Sequence, residues 1–153
     1  MGFLIRPGHF TAKPPGWAPV MIARMSSSEP RVIDVPDLPP PNGHYAYAIE
    51  HGGVIYASGQ LGRGPGMSDA EAGDISRQTR FCLEKIEKVL RAANSDLSRL
   101  LKVNITIVNM DDWPAVNAVY SQMLGAHRPA RAVIAAKNLH FGALIEIEAI
   151  AAA

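Results

Sequence analysis

The chain has 153 residues, 48% of them apolar and 19% charged. That balance excludes wholesale disorder, and the length fits one domain able to bury its own core. Fifteen Lys+Arg against fourteen Asp+Glu leave a net charge of +1, which excludes a strongly basic nucleic-acid module or an acidic tail.

A single cysteine, Cys82, excludes an internal disulfide and points to a reducing, cytoplasmic compartment. No run reaches the ~18 apolar residues of a bilayer span. The most apolar stretch, 143–153, is broken by Glu146 and Glu148. The opening MGFLIRPGHF has too short an apolar run for a secretory signal.

Nine of the twelve prolines lie at or before Pro41. Residues 1–30 contain PPGWAP and SSSEP without periodicity, so an irregular arm is expected there, upstream of one domain over 31–153. Met21 and Met25 leave open that the true start lies inside this arm. Arg31–Val35 reads as a short strand ended by DLPPPNG. Tyr45–Glu50 and the β-branched Val54–Ser58 read as strands joined by a hairpin turn at His51-Gly52-Gly53. Gly59–Met67, rich in glycine, reads as a loop.

Ser68 or Asp69 is a candidate cap for a long helix reaching Ala93. Its apolar stripe is Ile75, Thr79, Cys82, Leu83, Ile86, Val89, Leu90 and Ala93. Leu101–Val108 reads as a strand. Asp111 or Asp112 would cap a second helix burying Trp113, Val116, Tyr120, Met123 and Leu124 and ending at Gly125. Arg131–Ala136 and Leu144–Ala151 read as a C-terminal strand pair joined by KNLHFGA. The order β-β-β-α-β-α-β-β predicts an α+β fold with helices packed on a sheet.

In the last strand Ile145, Ile147 and Ala149 share one face, and Glu146 and Glu148 share the other. A tight hairpin would make Arg131 and Glu146 cross-strand neighbours. A guanidinium on so apolar a strand must be paired or must bind an anion. Two readings follow: a structural Arg–Glu pair, or an anion clamp with Glu146 as general base to a water. Other chemistries have little basis. The five histidines are scattered, and no metal-ligand spacing, nucleophile elbow or complete phosphate loop is present. Cys82 falls inside the helical stripe, as an inert core thiol.

Three segments together, GHYAYAIEHGGVIYASGQLG, VNITIVNMDDWPAVNAVY and RPARAVIAAKNLHFGALIEIEAIA, resemble the Rid family of YjgF-type reactive-intermediate deaminases. Members have long carried the description of endoribonucleases or translation inhibitors. The resemblance covers about residues 31–153. It implies a chorismate-mutase-like mixed sheet with two helices on one face. It also implies a homotrimeric barrel core with an active site at each subunit interface.

Carried over by motif, Arg131 matches the arginine that holds a substrate carboxylate, and Glu146 matches the acidic residue tied to the catalytic water. Tyr45, Ser58, Asn117 and Val133 fall at substrate-binding positions. The implied reaction is hydrolysis of 2-imino or 2-enamino acids to 2-keto acids and ammonia, with no metal or organic cofactor. Gly43-His44-Tyr45, Val133 and Leu139-His140 depart from the family pattern and bear on substrate choice. The alternatives are a more specialised catabolic deaminase, a trimeric carboxylate-binding module without turnover, and a ribonuclease. Neither a membrane nor a nucleic acid is an expected partner.

Overall fold

The computed structural model describes residues 29–64, 67–68 and 72–153. The arm expected over 1–30 lies outside these residues except for its last two, and so does Asp69. Among the described residues six strands form one sheet: β1 (Arg31–Val32), β2 (Ala48–His51), β3 (Val54–Leu61), β4 (Leu100–Ile107), β5 (Ala130–Ala135) and β6 (Ile145–Ala152). Among the described residues two long helices, α1 (Ile75–Ala92) and α2 (Trp113–Leu124), cover one face. The expected α+β layer architecture is the observed one.

Period-two alternation explains the sheet. Ile145, Ile147, Ala149 and Ala151 of β6 are buried, while Glu146 and Glu148 face the other way. In β4, Val103, Ile105 and Ile107 are fully buried and alternate with Lys102, Asn104 and Thr106. Helix α1 lays Cys82, Leu83, Ile86, Val89 and Leu90 onto this apolar face, at the spacing its sequence predicts.

The strand order is β1-β2-β3-β6-β4-β5. This corrects the expected C-terminal hairpin. β5 runs parallel to β4 at the sheet edge, joined to it through α2. β6 crosses β4 and inserts between β3 and β4, antiparallel to both. Alternation reports which face a side chain takes, and the nine residues from 136 to 144 are long enough to pass a neighbouring strand.

Local boundaries differ for identifiable reasons. β1 is shorter than expected, although Ile33 and Val35 stay buried and the Ile33 N–H donates to the Ala48 carbonyl at 3.0 Å. Helix α1 starts later than Ser68. Asp74 is its cap, accepting hydrogen bonds from the Ser76 and Arg77 amides at 2.8 and 3.2 Å. Buried Gln78 donates to the Ala72 carbonyl and accepts from the Leu144 N–H at 2.8 Å, tying α1 to the start of β6. Asp112 precedes α2 but makes no side-chain cap. Asn109 accepts the Asp111 N–H in the 3-10 turn before it. Among the described residues no helix is long and apolar enough to cross a membrane.

Removing the cap by Asp74→Ala lowers unfolding stability by about 1 kcal/mol. Urea unfolding followed by circular dichroism reads this as a lower midpoint at unchanged slope.

Candidate active site in two parts

The edge strand β5 and helix α2 build the first part. Trp113, Asn117 and Tyr120 recur at i, i+4 and i+7, so they lie along one helical face. The Arg131 guanidinium lies against it. One Nη donates to Asn117 Oδ1 at 3.0 Å, and Cζ sits 4.6 Å from the Tyr120 ring centre and 6.0 Å from that of Trp113. No carboxylate pairs with Arg131 among the described residues. Val133, two residues on, shares the face of Arg131 and packs against the core. Tyr120 is buried, and its hydroxyl has no hydrogen-bond partner. Burial pushes the phenol pKa up, and the adjacent Arg131 charge opposes that only in part. Trp113, expected in the core, is 40% exposed at the start of α2, on the flank of the guanidinium.

The second part sits around a bulge in β3. Three steps along β3, from Ala57 to Gln60, span two steps along β6, from Ala149 to Ile147. Ser58-Gly59 is therefore inside the strand, which corrects the strand end expected there. The Ser58 hydroxyl donates to the Ala46 carbonyl at 2.7 Å. The Glu146 carboxylate rests on Gly59, where a Cβ would come within 2.0 Å of Glu146 Oε1. Glycine is required here for that close approach. Tyr45 lies just before β2, half-exposed, with its ring edge-on to Tyr47 at 6.3 Å.

Arg131 and Glu146 do not meet, which corrects the expected cross-strand pairing and removes an Arg131–Glu146 pair within one chain. Arg131 is opposite Val103 on the helix face, whereas Glu146 is opposite Thr106 on the open face. Two strand spacings and a three-residue offset put their Cα atoms on the order of 14 Å apart. The structure thus joins Arg131 with Asn117 and Val133, and Glu146 with the Ser58-Gly59 bulge. The open face holds a shallow groove of about 320 Å³ lined by Asn104, Thr106, Ala132, Ile134, Glu146 and Glu148. Across it Asn104 donates to Glu148 at 2.6 Å.

Cys82 donates to the Gln60 carbonyl at 3.0 Å deep in the core, and burial pushes its thiol pKa far up. It is therefore not a thiolate nucleophile at neutral pH. Among the described residues, no group of three His, Cys, Asp or Glu side chains gathers as a metal site. Sequence reasoning places Tyr120 in the helix core and misses its contact with Arg131. The 113/117/120 spacing is the signal that points to it.

Comparison with known proteins places this arrangement in a family. A family profile described as Endoribonuclease L-PSP matches residues 36–153. A RutC family protein of Pyrococcus horikoshii is 38% identical over 120 residues, covering 78% of this chain and 95% of the relative. A 2-iminobutanoate/2-iminopropanoate deaminase of Capra hircus is 35% identical, over 83% of this chain and 93% of its own. A solved Rid family protein of Yersinia pestis superposes with a TM-score of 0.75 at 35% identity, over 81% of this chain and 99% of that one. TdcF of Escherichia coli, solved with bound serine, gives 0.73 at 26% identity over 80% and 98%. The chain belongs to the Endoribonuclease L-PSP family, the Rid family that its motifs resemble.

The close approach at Gly59 generates a testable outcome. In Gly59→Ala the carboxylate end of Glu146 swings aside and the strand stays paired. The fold therefore survives with a modest Tm loss, while any Glu146-dependent activity falls about tenfold or more. A thermal melt beside a turnover assay separates the two effects.

Proposed function

We propose that this protein is a hydrolytic deaminase of 2-imino and 2-enamino acids, yielding the 2-keto acid and ammonia. The observation that carries this reading is Arg131. Its guanidinium is steadied by Asn117 and Tyr120 yet has no carboxylate partner among the described residues. Such a group suits a carboxylate ligand, bound bidentately. The name of the goat relative supports the reaction, and the serine bound to TdcF supports a small amino-acid-like ligand.

The mechanism follows from that anchor. Arg131 holds the carboxylate, which fixes the adjacent C2. The protonated imine carbon is electrophilic. Glu146 takes a proton from a water as its oxygen adds to C2 and returns it to the nitrogen of the resulting carbinolamine, whose hydroxyl gives up its proton to solvent as the C=O forms and ammonia leaves. Tyr45, Ser58 and Val133 border the substrate, and the bulk of Val133 sets the room beside C2. No metal or organic cofactor takes part in these steps.

The two parts lie on opposite faces of one chain, so we assign the complete site to the junction between copies. β5 of one copy then sits beside the Glu146 face of the next, in a homotrimer whose open sheet faces form a central barrel. The near-neutral charge, fifteen basic against fourteen acidic residues, gives no support to RNA as substrate.

Threonine dehydratase acting on threonine supplies 2-iminobutyrate, and semicarbazide traps what remains. Wild-type protein lowers the yield of semicarbazone, and Arg131→Ala loses at least about 100-fold of that effect, as expected for a partly buried charged anchor. An unchanged yield with wild type contradicts the reading for small imines. Equal activity in the mutant contradicts the role of Arg131.

A further inference from the structure

We propose that Tyr120 is a positioning residue whose aromatic ring, and not its hydroxyl, holds the Arg131 guanidinium in the orientation that binds carboxylate. The proposal rests on the reading of Arg131 as carboxylate anchor and deepens it. Two contacts locate the guanidinium. Asn117 accepts one N–H at 3.0 Å, and a single hydrogen bond leaves rotation about its axis free. The Tyr120 ring, with Cζ 4.6 Å from its centre, removes that freedom. A cation over an aromatic face is attracted by the ring quadrupole, most strongly where water is excluded, and Tyr120 is only 7% exposed. Trp113, at 6.0 Å and 40% exposed, contributes less.

The hydroxyl has no share in this. It is buried and has no hydrogen-bond partner, and it touches no solvent through which a ligand would reach it. A buried hydroxyl left unpaired is unfavourable. Phenylalanine therefore retains what the site uses and removes what it does not. Leucine keeps an apolar side chain in the core but offers no face to the cation.

The test is titration of the product-like carboxylate 2-ketobutyrate into folded protein by calorimetry, beside steady-state kinetics on 2-iminobutyrate. In Tyr120→Leu, Kd and KM rise about 5- to 30-fold, while kcat changes much less because Tyr120 touches neither water nor C2. Tyr120→Phe rescues binding to within about twofold of wild type at an equal or higher Tm.

Unchanged Kd in Tyr120→Leu overturns the proposal while leaving the anchor reading intact. A loss in Tyr120→Phe as large as in Tyr120→Leu overturns it in favour of the hydroxyl. Wild type that binds 2-ketobutyrate no better than Arg131→Ala overturns the anchor reading itself, and the proposal with it. Should Tyr120→Leu fail to fold, the wild-type spectrum decides. The Arg131 Nε–Hε resonance, assigned by its loss in Arg131→Lys, lies upfield through the ring current, and a random-coil position overturns the proposal.

Discussion

The insertion of β6 between β3 and β4 governs this molecule. Its odd positions, Ile145 to Ala151, must lie under α1, because they are the centre of the apolar layer. Its even positions then have no choice. Glu146 and Glu148 emerge on the opposite face, where one strand's worth of alternation sends two carboxylates away from the helices. The bulge at Ser58-Gly59 lies against this face, and the missing Cβ of Gly59 leaves room there for the Glu146 side chain.

The same crossing pushes β5 to the edge. An edge strand has one flank unpaired, and this one presents Arg131 where helix α2 has aligned an amide and two aromatic rings to receive it. The chain thus places a guanidinium and a carboxylate on separate surfaces. Neither is compensated by the other, and each has a fixed local support: Asn117 and Tyr120 for the arginine, Gly59 for the glutamate.

Much of this is legible in the sequence. The helical stripe from Ile75 to Ala93, the alternation in β6 and the grouping of Arg131 with Val133 all depend on local periodicity, which a single sequence displays. Strand order does not. A short connection suggests a hairpin that sets Arg131 beside Glu146, and nothing in the alternation says which neighbour a strand takes. Gly59 resembles a strand end because glycine usually marks a turn. Its actual reason is a side chain 87 residues further along the chain. Trp113 fits the apolar stripe of α2 by spacing, yet a partly exposed indole beside a guanidinium has the same spacing. The burial of Tyr120 follows from its place in that stripe, but what it supports lies on another strand.

The central claim is that an active site needs Arg131 from one copy and Glu146 from another. Co-expression of Arg131→Ala with Glu146→Gln tests it directly. Mixed oligomers purified through different tags on the two chains contain some junctions with both native residues. The account predicts that these recover a substantial fraction of wild-type imine hydrolysis, while each variant alone stays inactive. Mixed oligomers as inactive as either parent would contradict it and place the whole reaction within one chain.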